Sequence, residues 1–432
     1  MTPTNGRTMT EKMLARAAGI ASCKAGDLVR PDPAWVIVHD GYVESLYKEL
    51  SALGYRRIAR PQRMAFVTDH DVIYTTTRAA ERGAANRRIA AEWQVGHFSD
   101  AGRDGHGHLY PMESGMVQPG SFVFAYDMHC TNFGAIGAFA LGVLGEISVV
   151  AATGSLTVQV PGAVRVRLDG RFAPGVHARD LGFKLSHALT SGQIPVEYDA
   201  RVFEFCGPAV DAMSVAARVG LCNTLTEIGV AHTLFPPMTY RNEPCPELAG
   251  LVGDEDADYE ATIDWNLSEL VPQVALPGSP DNAATVETVA GQAIDQAYLG
   301  SCGSAMYEDF RDAAQFLRGK SLSPRVRMVV VPGTIEIARR LTDDGILEVF
   351  IDAGATVLPP GCGPCAGGRS SLLAPGEVSI STAATNNHGR MGAATSRAYL
   401  ASPLTVAASA VAGEIVAPLP WPGDGTASLE IS

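Results

Sequence analysis

Apolar residues recur with two periods along this chain. From Tyr42 to Leu53, Val43, Leu46, Leu50 and Leu53 fall three or four positions apart, which predicts an amphipathic helix stopped at Gly54. Val164, Val166 and Leu168 instead alternate with Arg165, Arg167 and Asp169, the period of a half-buried strand ending at an Asp169-Gly170 turn. Met306, Phe310, Ala313 and Leu317 form a second helical stripe, closed by Gly319. Val326 to Val331 then reads as a buried strand, Pro332-Gly333-Thr334 as a turn and N-cap, and Ile335 to Leu341 as a helix. Strands and helices in alternation predict α/β layers, three α/β/α units with mostly parallel sheets.

Two breaks divide the pattern. Pro161-Gly162 precedes fresh strand alternation, and Val271 to Asn282, rich in Pro and Gly, reads as an extended linker. The expected units are residues 1–161, 162–272 and 273–432. No internal repeat is visible. The most apolar stretch, Phe133 to Gly154, is interrupted by Glu146, which argues against a membrane span and predicts a packed helix followed by a buried strand. Met1 to Thr10 contains no apolar run of the secretory kind.

Composition narrows the class. With 46% hydrophobic and 18% charged residues, the 432-residue chain has material for several cores and is not disordered. It carries 33 Lys and Arg against 46 Asp and Glu, and a net charge of −13 disfavours a nucleic-acid partner. The acidic run Asp254 to Asp258 has no Gly-centred calcium loop around it and reads as a solvated loop. Eight cysteines are too sparse for a disulfide scaffold, so a reducing compartment, the cytoplasm, is expected.

The strongest chemical signal is Gly361-Cys362-Gly363-Pro364-Cys365-Ala366-Gly367-Gly368. Two thiols three apart on what reads as an exposed turn suit zinc, an iron–sulfur cluster or a redox dithiol. Cys302, in Gly300-Ser301-Cys302-Gly303-Ser304 between a strand end and a helix start, is a third candidate whose thiolate the helix N-terminus would favour. Three thiols without an obvious fourth ligand fit a cluster with one iron left open, whereas zinc prefers four protein ligands or an accompanying His. Cys23, Cys130, Cys206, Cys222 and Cys245 lack such settings and read as small buried hydrophobes. Asp69-His70, His106-Gly107-His108 and Asp127-Met128-His129 stand near strand ends or glycine loops, where α/β folds place their sites, and His39-Asp40 is a further pair. A carboxylate beside an imidazole fixes its tautomer and tunes it for proton transfer.

These motifs resemble the aconitase superfamily, and within it the large subunit of the isopropylmalate isomerase and homoaconitase branch. The resemblance runs from Met9-Thr10-Glu11-Lys12 to Ser402-Pro403. It includes Lys24-Ala25-Gly26-Asp27, Asp69-His70, the spacing His108…Gly115…Pro119-Gly120, Asp127-x-His129, Ala152-Thr153-Gly154, Asn223 with Glu227, and the ordered three-cysteine set. It implies three α/β domains around a [4Fe-4S] cluster held by Cys302, Cys362 and Cys365, with the unligated iron a Lewis acid. It also implies that Asp69, His70, His108, Asp127, His129 and Glu227 orient and tune the departing water, while Asn223 and Arg390 bind substrate. Family members need a fourth, swivelling domain. The stretch after Cys365 is too short to hold it, so a separate small subunit is expected.

Departures shape the expected substrate. The family's Asp-Ser-His reads Asp127-Met128-His129, and its Cys-Thr-Asn reads Cys302-Gly303-Ser304. Its Asn-Arg-Asn-Phe-x-Gly-Arg reads Ala384-Thr385-Asn386-Asn387-His388-Gly389-Arg390, which keeps the second arginine and loses the first. Threonine cannot imitate a bidentate carboxylate clamp. The expected activity is a cluster-dependent hydro-lyase, with or without a completed isomerisation, on a small 2-hydroxy di- or tricarboxylic acid of the malate or alkylmalate type. The alternative is a non-catalytic or regulatory paralogue that senses iron or redox state.

Overall fold

The computed structural model describes residues 6–367 and 369–418. Three larger sheets organise them, beside a two-stranded antiparallel pair, Leu28–Val29 with Val158–Gln159. The first is wholly parallel, in the order His97–Ser99, Met64–Val67, Trp35–His39, Phe122–Ala125, Phe139–Gly142. Its central strands are continuous apolar runs because helices cover both faces. The second, also parallel, runs His232–Leu234, Val202–Cys206, Ala163–Asp169, Ala261–Asn266.

The third sheet has seven strands. Arg397–Ala401, Val378–Ser381, Gln296–Leu299, Arg327–Val330 and Thr356–Val357 are parallel, and Gln273–Ala275 and Ala283–Thr285 complete one edge antiparallel. The strand Gln273–Ala275 falls inside Val271 to Asn282 and overturns the linker reading there. Val274 and Ala275 are fully buried, and that buried pairing outweighs the local Pro and Gly content.

Most predicted elements are present. The first helix expected spans Asp40–Ala52, but Leu53 is 65% exposed and caps its end instead of joining the buried face of Val43, Leu46 and Leu50. The later helices are Tyr307–Leu317 and Ile335–Asp343, the latter capped by the Thr334 hydroxyl as expected. In the stretch Phe133 to Gly154 the order is the reverse of the prediction. A 3₁₀ segment, Met128–Ile136, leads into the strand Phe139–Gly142, and the α-helix Ile147–Thr153 follows. The physical reason lies in two glycines. Gly137 takes a φ of +72°, and a Cβ on Gly134 would collide with the Thr233 carbonyl, so the backbone turns where apolarity alone suggested a helix.

Side chains from all three sheets, among them Ile37, Val166 and Ala297, share one core. Helix Val215–Thr226 packs its Asn223 and Cys222 against the 3₁₀ segment, where Thr131 Oγ1 donates to the Cys222 carbonyl at 3.5 Å. The turn Gly333-Thr334 pairs with Gly105, and His106 N–H donates to the Gly333 carbonyl at 2.8 Å. The loops that leave the strands' carboxyl ends therefore meet at one junction.

Candidate active site

Every candidate residue reaches that junction. Asp69 follows the strand Met64–Val67 and is fully buried. It lies against His39 Nδ1 at 3.0 Å and accepts the Gly107 N–H at 2.8 Å. His70 Nδ1 sits between Asp69 Oδ1 at 2.9 Å and Asp40 Oδ1 at 2.8 Å. Sequence adjacency therefore misassigned part of the pairing, because Asp69 turns inward to His39 and Asp40 takes up His70. Burial opposes the charge on His70, yet Asp69 and Asp40 hold its proton well above the ordinary imidazole range. Burial would raise Asp69, and the three imidazoles of His39, His70 and His106 outweigh it, keeping the carboxylate ionised.

A second chain of groups follows the strand Phe122–Ala125. Asp127 Oδ1 accepts from the His129 N–H and faces His129 Nδ1, both at 2.9 Å. His129 Nε2 faces Glu227 Oε1 at 2.8 Å. Burial disfavours its charge, but the Cys302 sulfur, Asp127 and Glu227 push His129 well above its ordinary value. His108 stands 3.6 Å from Asp127 and behaves oppositely, since burial, with His39 next, drives it well below. Both of its ring nitrogens are buried without a hydrogen-bond partner. The rings of His39, His108 and His129 lie side by side, with centroids 4.4 and 5.8 Å apart.

The three thiols approach this imidazole row from the third sheet. Cys362 and Cys365 are 8% and 6% exposed, which corrects the reading of an exposed turn. Gly361 and Gly363, with φ of +153° and +55°, let the backbone fold inward, and a Cβ on Gly361 would press within 2.7 Å of the Asp69 carbonyl. The Cys362 N–H donates to that carbonyl at 2.8 Å, and its Sγ lies 3.1 Å from His106 Nε2. Cys302 Sγ accepts from Asn223 Nδ2 at 3.0 Å, while Asn132 Nδ2 donates to the Cys302 carbonyl at 2.9 Å. The expected easing of Cys302 toward thiolate by a helix end is not found. The helix begins only at Tyr307, Asp309 accepts the Met306 N–H at 3.0 Å, and burial pushes the thiol up.

Arg390 donates from Nε to the Cys365 carbonyl at 2.9 Å, and its terminal nitrogens make no hydrogen bond among the described residues. Cys365 and Glu227 hold its charge against partial burial. Met128 is 44% exposed, and Thr385 is buried with its hydroxyl unpartnered.

Arg179 escaped the sequence reading. Fully buried, it donates to the carbonyls of Thr382 at 3.0 Å and Ala383 at 2.8 Å, and a Cβ on Gly303 would press on its Nη1. Burial lowers it to about 10. An arginine within an amphipathic helical pattern gives no local sign of such a role.

The donor set fits the cluster that the sequence resemblance implies. Cys302 groups with His106 and His108, Cys362 groups with His106 and Asp69, and Cys302 and Cys365 share one buried cluster, beside the orphaned polar atoms of His108 and Asn223.

Loops that bring acid–imidazole pairs and thiols to the carboxyl ends of parallel strands define an enzyme of the α/β class. The profile of the Aconitase family (aconitate hydratase) matches residues 21–413, and the chain belongs to that family. Among its relatives, 3-isopropylmalate dehydratase large subunit 1 of Methanopyrus kandleri is 39% identical over 422 residues, 96% of this chain and 100% of that one. The probable methanogen homoaconitase large subunit of Methanothermobacter thermautotrophicus is 37% identical, covering 96% of this chain and 99% of its own. The fold is similar to that of Thermococcus kodakaraensis aconitase X in its holo-form, with a TM-score of 0.52 and 12% identity over 84% of this chain and 86% of that one.

Proposed function

We propose that this chain is the large subunit of a hydro-lyase acting on a 2-hydroxy dicarboxylic acid of the malate or alkylmalate type, or on its unsaturated counterpart. Cys302, Cys362 and Cys365 would hold a [4Fe-4S] cluster, which when bound supplies a Lewis acid for the substrate hydroxyl and carboxylate. A small subunit would supply the swivelling domain that closes over the open face, as the relatives' designation as large subunits supports. We read the three sheets as the cores of domains 1–161, 162–272 and 273–432, since the strands of each sheet fall within one range. A cytoplasmic location agrees with eight free thiols. No helix among the described residues is long and apolar enough to cross a membrane.

The observation that carries the reading is His129, held between Asp127 and Glu227 beside the Cys302–Asn223 pair. A cationic imidazole with carboxylates on both nitrogens holds a proton at Nε2, which we assign to protonating the departing hydroxyl. Neutral His108, with both nitrogens unpartnered, orients that hydroxyl or water. His70, kept charged by Asp40 and Asp69, offsets part of the negative charge that these two carboxylates bring to the site. Arg390 offers its terminal nitrogens to a carboxylate.

Met128 and Thr385 select the substrate. Losing one charge-assisted carboxylate bond forfeits about 1.5–3 kcal/mol, roughly tenfold to a hundredfold in affinity. A tricarboxylate suffers from this, and a dicarboxylate with an uncharged substituent does not. The test is kcat/KM for citrate and a series of substituted malates, using the anaerobically purified complex with the small subunit. Alkylmalates should turn over to an unsaturated product and citrate negligibly; citrate as the best substrate would sink the reading.

A further inference from the structure

His106 lies outside the acid–imidazole pairs described above, yet it touches a thiol directly. Its Nε2 is 3.1 Å from Cys362 Sγ, with the ring 2% exposed. Its Nδ1 accepts the backbone N–H of His108 at 3.2 Å. An Nδ1 that accepts is unprotonated, so the ring hydrogen of the neutral imidazole sits on Nε2 and points at the sulfur. We propose that His106 donates an N–H···S hydrogen bond to the Cys362 thiolate and thereby raises the reduction potential of the cluster, an inference that rests on the cluster reading above.

The backbone on both sides is arranged for this contact. Gly105 adopts a φ of +132° and pairs with Thr334, and a Cβ there would lie 2.5 Å from the Thr334 Cα and the Gly333 carbonyl. A Cβ on Gly107 would collide with the His39 ring. His106 is thus the one residue with a side chain between two positions that tolerate none, and its own N–H is tied to the Gly333 carbonyl. Cys362 is fixed independently through its N–H to the Asp69 carbonyl. Neither partner can drift away without breaking a second contact. Asp69 Oδ2, 3.4 Å from Nδ1, is already occupied by the Gly107 N–H and by His39, so it does not compete for the ring proton.

The donors at the three sulfurs are unequal. Cys302 receives a carboxamide N–H from Asn223 and Cys362 an imidazole N–H, while Cys365 Sγ receives no side-chain donor among the described residues. A donor to a cluster thiolate stabilises the extra negative charge of the reduced state and raises the potential.

The experiment is an EPR-monitored redox titration of the anaerobically reconstituted large chain as wild type, His106→Met and His106→Gln. Met and Gln have similar length and volume and differ in the N–H, so a packing effect moves both alike. The expected result is a lower midpoint potential for the Met variant, with the Gln variant recovering part or all of the shift. One shared potential for Met and Gln, or a Met variant unchanged from wild type, overturns the inference. Nitrogen hyperfine coupling showing His106 bound directly to iron in the wild type overturns it too. A wild-type chain that takes up no iron–sulfur chromophore fails at the cluster reading, and the inference falls with it.

Discussion

Nε2 of His129 stands 2.8 Å from Oε1 of Glu227, joining a residue of the first sheet's loops to the end of a helix beside the second sheet. With Asp127 on its other nitrogen, the ring is held charged between two carboxylates. Glu227→Gln keeps the shape and removes the anion. Proton transfer by a positioned group contributes about 10²–10⁴-fold. The expected outcome is a fall in kcat within that range with little change in KM, measured on the complete complex. A rise in KM with kcat unchanged would reassign Glu227 to substrate binding.

The thiol set makes a sharper claim. Serine substitution at Cys302, Cys362 or Cys365 should abolish the brown chromophore of the anaerobically reconstituted chain. Cys222→Ser, in the buried core, should retain it. Iron and acid-labile sulfide counts on the purified variants check both halves.

Arg179 gives a stability prediction. Arg179→Met removes the donors to the buried Thr382 and Ala383 carbonyls. Each unsatisfied buried group costs about 1–3 kcal/mol, so a loss of roughly 2–6 kcal/mol is expected in denaturant unfolding. The same substitution should loosen the Cys302 turn, seen as faster loss of iron in air.

Glu113 supplies the pH dependence. It lies near Thr334, whose hydroxyl donates to it at 2.9 Å, and burial raises it to about 7. In the unfolded chain it releases its proton near 4.5. Between those values the folded state binds more protons, so its contribution to stability is fully present at low pH and is lost as pH rises toward 7. Glu113→Gln should therefore flatten the melting temperature over that window and stabilise the fold at pH 8, by up to about 3 kcal/mol. Parallel melting curves for wild type and variant would refute the assignment.

The elements and the chemistry were legible in different degrees. Strand and helix periods are local, so stretches such as Val164 to Leu168 and Ile335 to Leu341 declared themselves. The thiols and the Asp/His sets were visible because each sits in a short glycine-rich or strand-end segment, a setting that suits chemistry better than packing. Where local signals conflicted, tertiary pairing decided. Gly134 and Gly137 broke an apolar run that looked helical, and sheet-edge pairing made strands of the buried Gln273–Ala275 and the half-buried Ala283–Thr285.

The sequence by itself determined the alternating α/β elements, the residue types of the site and the family resemblance, because these depend on neighbours a few positions apart. Only the tertiary structure decided which carboxylate serves which imidazole. Asp69 serves His39 and shares His70 with Asp40, 30 positions earlier. Only the fold buried the thiols and so raised Cys302 and Cys362. Only the fold set His106 against a sulfur 256 residues away. Such contacts are closed by sheet order and by the meeting of loops from different sheets, and neither leaves a period in the chain.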